Sequence, residues 1–285
     1  MKIKISYIAL ILVVLSSCYK EETLNVPVKD EAELTSQLDE YIDDHFTQPY
    51  NMAVRYKYVD QYVERSQRVT PPRLDIVQPM LDFVEYFWIE PYLQVPNGEG
   101  FFKRFVPAEI IFLGGLIYNG DGTVTLGTAD AGARITFTNV NALDVNDEEW
   151  RTIQLHTVYH EFSHIVHQNF KLPNAFETIS PNGYTSAGSW YNLTDEEALQ
   201  RGFVSPYATT NPNEDFAETV AFYLFDPDFE ENFITQTEDC TTADCENENA
   251  GKAMILEKIS SIRSHYERVT GVSLDLLRAD IQSRL

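Results

Sequence analysis

Basic residues are scarce in this chain. Only 21 Lys and Arg stand against 44 Asp and Glu, for a formal net charge of −23 over 285 residues. So acidic a body repels polyanions, which argues against nucleic acid and against electrostatic attachment to anionic membranes. Long apolar runs are missing too, once the first 17 residues are set aside. Residues 105–117 come nearest, and Pro107, Glu109, Gly114 and Gly115 interrupt them, so no second membrane-spanning segment is expected. No internal repeat is present. Cysteine is limited to 3 residues. Aromatic residues, by contrast, make up 13% of the chain and supply ample core material for one large domain or two closely joined lobes.

The first 17 residues read as a lipoprotein signal peptide. Lys2 and Lys4 form a basic start, and residues 5–15 form an apolar run too short to span a bilayer. Ser16-Ser17-Cys18 closes it in the manner of a bacterial lipobox, with Cys18 lipidated and anchoring the chain to the membrane. Residues 18–30 then read as a tether. Lys20-Glu21-Glu22 resembles the export signal of surface lipoproteins, which implies an outer-membrane protein exposed at the cell surface. With Cys18 used for the anchor, Cys240 and Cys245 remain as a pair. Outside the cytoplasm that pair is expected to close a small disulfide ring, and no further Cys or His lies nearby to make it a metal site.

What the chain does contain is His160-Glu161-Phe162-Ser163-His164. This H-E-x-x-H pattern places two imidazoles one helical turn apart on one face, able to share one Zn²⁺, with Glu161 as general base on a zinc-bound water. The surroundings read as a helix. Asp147-Glu148-Glu149 forms an acidic first turn, residues 150–170 lack Pro and Gly, and Ile153, Val158, Phe162, Ile165 and Val166 supply a buried face. His156 lies one turn before His160, as a neighbour packed near the site, a support for a ligand or a competing ligand. A metzincin pattern needs Gly at position 167 and His at 170, where this chain has His167 and Phe170, so the third ligand must come from elsewhere. Asn213-Glu214-Asp215-Phe216-Ala217-Glu218 offers it on a second helix. Glu214 is the favoured ligand, with Glu218 one turn later placed to hydrogen-bond a ligand histidine; Glu218 or Asp215 as the ligand are the alternatives.

Elsewhere, residues 31–46, 74–88, 195–201, 251–269 and 274–285 have helical spacing. Residues 51–59, 101–106, 110–118 and 133–140 read as strands, and Asn119-Gly120-Asp121-Gly122 as a hairpin turn, too short for an EF-hand calcium loop. The 133–140 strand, directly before the site helix, is taken as an exposed edge on which an extended peptide could pair. Residues 172–191 form a loop-rich stretch at the cleft rim, and residues 226–249 an exposed acidic insertion.

The two motif blocks resemble the gluzincins, which pair H-E-x-x-H with a downstream E-x-x-x-D or E-x-x-x-E helix. The Glu214-to-Glu218 wording is especially similar to lethal-factor-type toxins. In those the first Glu binds zinc and a Tyr about two turns earlier stabilises the oxyanion; Tyr207 occupies that position here, unless it is a core aromatic. Still more similar is a lipoprotein family of zinc metallohydrolases associated with substrate import, which combines a lipobox, H-E-x-x-H and a G-F-V-x-x-Y-A segment, here Gly202 to Ala208, ahead of E-D-F-A-E. The resemblance implies an α+β, zincin-like domain over residues 31–285. It would place a small mixed sheet over the H-E-x-x-H helix, with an N-terminal α/β lobe to about residue 170 and a mainly helical lobe after it. It also implies Zn²⁺ as cofactor, a peptide or protein substrate, and proximity to an outer-membrane TonB-dependent transporter and its binding lipoprotein. Two rivals share the metal: a binding lipoprotein of a nutrient-uptake system that cleaves little or nothing, and a hydrolase of a non-peptide amide.

Overall fold

The computed structural model describes residues 37–57, 66–118, 124–125, 127–130, 134–186 and 188–285. The chain divides into two units, Met1–Glu40 and Tyr41–Leu285. The signal peptide, Cys18, the tether and the turn at 119–122 lie outside the described residues. Among the described residues no helix is long and apolar enough to cross a membrane.

Helix α1 (Gln37–Ile42), a π-type turn (Asp43–Thr47) and α2 (Gln48–Tyr50) precede β1 (Ala53–Arg55). Helix α3 (Leu74–Val84) runs through a π-type turn (Glu85–Ile89) into α4 (Glu90–Gln94), and α5 (Gly98–Phe105) follows. A strand was expected at 101–106, and α5 corrects it. Phe101 and Phe102 are buried and Phe105 half-buried, while Lys103 and Arg104 between them are exposed, which is the 3.6-residue period rather than alternation. Lys103 also closes a 2.7 Å bond to Glu99, one turn back.

A four-stranded sheet has the order β1, β2 (Glu109–Phe112), β6 (Arg134–Phe137), β5 (Gly127–Asp130). β1, β2 and β6 are parallel, in register at Val54, Ile110 and Ile135, and β5 is antiparallel to β6. The sheet is therefore mixed, and β6 is an interior strand; the edge on that side is β5, which corrects the assignment of 133–140 as an exposed edge. Residues 110–118 also divide. β2 ends at Phe112, and β3 (Ile117–Tyr118) pairs instead with β4 (Val124–Thr125). Gly114 sits in the break, where a Cβ would lie 2.2 Å from the Pro71 carbonyl oxygen and 2.3 Å from Asn141 Nδ2. Only glycine lets these backbones approach so closely.

Helix α6 (Glu148–Phe170) packs on β5 and β6. Asp147 caps it, accepting from the Glu149 and Trp150 amides at 3.0 and 3.2 Å. Gln154 Nε2 donates to the Thr138 carbonyl at 3.1 Å and Trp150 Nε1 to that of Asn139 at 3.0 Å, tying the helix to the end of β6. An aromatic cluster fixes its middle. Phe162 meets Trp88, Tyr92, Phe101 and Phe102 with ring centroids 5.6, 5.3, 5.9 and 5.8 Å away. Each such pair contributes about 0.5–1.5 kcal/mol beyond its buried area.

Every regular element described after Phe170 is helical: α7 (Asp195–Gln200), α8 (Pro212–Phe225), α9 (Phe229–Phe233), α10 (Ala243–Thr270) and α11 (Leu274–Gln282), with short 3₁₀ turns ahead of α7 and α8. Asn211 caps α8, accepting from Asn213 and Glu214 amides, with Pro212 at its first position. The acidic stretch 226–249 is largely exposed, as expected, apart from one buried residue. Phe229 is wholly buried in α9, and α10 already begins at Ala243. The Cys240–Cys245 disulfide is present, with Cα atoms 5.5 Å apart.

Candidate metal centre

Helix α6 presents His160 and His164 on one face, and the first turn of α8 brings Glu214 up against them. His160 Nε2 and His164 Nε2 lie 3.0 Å apart, and Glu214 Oε2 lies 3.2 Å from the first and 3.1 Å from the second. Bonds of 2.0–2.1 Å in a tetrahedral zinc site hold donor atoms roughly 3.3 Å apart. Two imidazole nitrogens and one carboxylate oxygen form a triangle of nearly that edge, so this donor set fits a zinc ion and leaves one direction free. Of the three carboxylates considered for the third position, Glu214 alone converges on both imidazoles. Asp215, beside it, is wholly buried on the other side of the helix, 2.8 Å from Lys258 Nζ.

Glu218 lies one turn beyond Glu214 and behind the first histidine. Its Oε1 accepts from His156 Nε2 at 2.6 Å, and its Oε2 accepts from Ser205 Oγ at 2.5 Å. His160 Nδ1 stands 2.7 Å from Oε1, a short approach but poorly aligned for a hydrogen bond. His156, His160 and Glu218 make a second cluster of possible ligands. Its 2.6 and 2.7 Å contacts are hydrogen-bond lengths, shorter than the roughly 3.3 Å donor spacing of a zinc site, and filling it together with the first cluster would require both ring nitrogens of His160 to bind metal. The cluster therefore reads as support for the first one, with His156 tied to Glu218 rather than simply packed.

His164 Nδ1 lies 2.8 Å from His167 Nε2. Burial and the neighbouring His164 push His167 down to about 4, so its ring is neutral and can accept a proton bond from His164. Burial opposes the charge on Glu214, but the hydrogen bonds from His160 and His164 overcome it and hold the carboxyl down at about 2. Burial likewise opposes protonation of His160, yet Glu214 and Glu218 lift it to about 10. Glu218 is held well below the usual carboxylate range against its complete burial by His156 and His160.

Glu161 differs from both. Its carboxylate accepts no hydrogen bond among the described residues, and burial pushes its pKa up, with Glu214 adding to the rise and His160 and His164 pulling against it. Tyr207 lies over the site, its ring 5.8 Å from that of His160 and 5.2 Å from that of Trp190. Burial, the charges of Glu214, Glu161 and Glu218, and a hydrogen bond to Glu214 all raise its pKa, so the phenol keeps its proton.

Sequence reasoning missed Ser205, His167, Lys258 and Tyr184, whose hydroxyl donates to Asp215 at 2.8 Å, as parts of this assembly. His167 carries a readable signal, three positions after His164 on the same face. The other three have none, because their contacts join segments far apart in the chain.

Among curated proteins nothing matches this chain. It is similar to a crystal structure from Bacteroides caccae described as a "putative zinc-binding metallo-peptidase", with 28% identity, a TM-score of 0.71, and coverage of 90% of this chain and 93% of that one. The family model described as "Putative zinc-binding metallo-peptidase" matches residues 31–275. With its two histidines and a glutamate converging from α6 and α8, this chain belongs to that zinc-binding metallo-peptidase family.

Proposed function

We propose that this chain is a gluzincin-type zinc hydrolase of peptide bonds, held at the outer membrane by lipid on Cys18. The observation that carries the hydrolytic reading is the meeting of His160, His164 and Glu214 beside a glutamate, Glu161, that makes no hydrogen bond among the described residues. A metal kept for binding alone needs no general base at its side.

His160, His164 and Glu214 would hold the zinc. When bound, the ion supplies Lewis acidity, polarising a carbonyl and easing the ionisation of water. Glu161 takes the proton of the attacking water and hands it to the leaving amine, a two-way task suited to a carboxyl whose pKa burial has raised. Tyr207, protonated and beside His160, donates to the oxygen that becomes negative as the carbonyl is attacked. Glu218 and His167 keep the ligand imidazoles in place from behind. A peptide in extended form would align along β5, whose outer side has no partner strand among the described residues. The lipid anchor, exposure at the cell surface, and an association with a TonB-dependent transporter and its binding lipoprotein belong to this proposal on the strength of the motif resemblance.

The test is Glu161→Gln. The variant should retain one zinc per chain and lose cleavage of a peptide library that the wild type cuts and a chelator blocks. Undiminished cleavage by the variant would overturn the reading.

A further inference from the structure

Lysine is almost never fully buried, yet Lys258, in the middle of α10, is fully buried against an equally buried Asp215. All the capacity of its ammonium group is used. It bonds Asp215 Oδ2 at 2.8 Å and the Gly202 carbonyl at 2.7 Å, and it sits 3.7 Å from the centre of the Phe203 ring. Asp215 accepts in addition from Tyr184 at 2.8 Å and, more weakly, from Thr219 at 3.4 Å. The two partners of Lys258 are the two arms of the metal centre. Asp215 follows the candidate ligand Glu214 in the first turn of α8. Gly202 and Phe203 open the segment that delivers Ser205 to Glu218 and Tyr207 to the face of His160.

Two turns earlier, the same face of α10 is pressed against the end of α7, just ahead of that segment. At Gly251, a Cβ would lie 1.8 Å from the Leu199 carbonyl oxygen, so only glycine allows the contact. A buried ion pair contributes little net stability compared with apolar residues of the same shape, while leaving one partner alone is costly. What it does supply is direction: a fixed angle about the α8 axis and a fixed distance between the arms.

We propose that Lys258 and Asp215 are positioning residues of the metal centre, setting the rotation of α8 and the placement of residues 202–207 so that Glu214 and Tyr207 both reach the histidine pair. This rests on the metal-site reading above. It assigns to α10 a role in metal affinity although that helix contributes no ligand.

The experiment measures zinc affinity of the full chain by chelator competition, together with thermal unfolding of the metal-free protein. Lys258→Met/Asp215→Asn removes both charges at once and leaves no isolated buried ion. It should keep the metal-free midpoint near that of the wild type and bind zinc about tenfold or more weakly, the range seen when groups supporting a ligand are lost. Tyr184→Phe, which removes a single bond to Asp215 and no charge, should weaken zinc binding about threefold, and it decides the matter if the double variant does not fold. Wild-type zinc affinity in whichever of these variants folds would overturn the inference, leaving the pair a purely structural role. A wild-type chain that takes up no zinc would overturn it together with the metal-site reading. Peptide cleavage is not read in this titration, so failure of the hydrolytic reading alone shows in the Glu161→Gln assay.

Discussion

His164 Nδ1 and His167 Nε2 are 2.8 Å apart, so the second histidine of the motif is held from behind by a third one a turn further along the same helix. With a metal bound, His164 would donate through Nδ1 to His167, which would leave the Nε2 lone pair for the ion between His160 and Glu214. His167→Phe removes the acceptor while keeping a ring. Zinc affinity should fall by about tenfold, and His167→Gln, which retains an acceptor, should recover part of the loss. Chelator competition measures both; equal affinity for wild type and His167→Phe would show that the contact does not tune the ligand.

Phe162 lies inside the motif but belongs to the core. It is almost completely buried and meets four aromatic rings from the π-type turn at Glu85–Ile89, α4 and α5. Phe162→Ala should cost about 3–5 kcal/mol of unfolding free energy, read from urea denaturation of the metal-free chain. A loss below about 1 kcal/mol would mean that the cluster does not anchor the helix.

Asp275 sets part of the acid sensitivity. Burial tends to raise its pKa, but hydrogen bonds from Arg263 and Tyr223 outweigh burial and lower it below its unfolded value. A depressed carboxyl stabilises the fold above the unfolded pKa, and that contribution disappears as pH falls through the folded pKa. Asp275→Asn should therefore be less stable than wild type at pH near 7, with the difference shrinking toward pH near 3. Denaturation midpoints at the two pH values check it; a gap that widens in acid would reverse the sign.

The chemistry was readable where it depends on spacing within one helix. His160, His164, Glu214 and Glu218 are each defined by separations of four, and a cap at Asn211 with Pro212 marks the start of the second helix. What stayed hidden depends on contacts between distant segments. Lys258 looks like one more charge on a long amphipathic helix until the fold brings Asp215 and Gly202 to it. Phe101, Phe102 and Phe105 have strand propensity, and their helical spacing is decided by the rings waiting on Phe162 and Tyr92. β6 reads like any half-buried strand, and only its pairing with both β2 and β5 puts it in the interior. The acidic 226–249 stretch hides Phe229, a single buried residue that closes against Tyr223 and Phe233.

The most direct measurement is anomalous scattering at the zinc edge from crystals of the zinc-loaded chain. One peak is expected within about 2.0–2.2 Å of His160 Nε2, His164 Nε2 and a Glu214 oxygen, with Glu218 outside bonding distance and still engaged with His156 and Ser205. A peak seated instead among His156, His160 Nδ1 and Glu218, or no peak near either cluster, would contradict it.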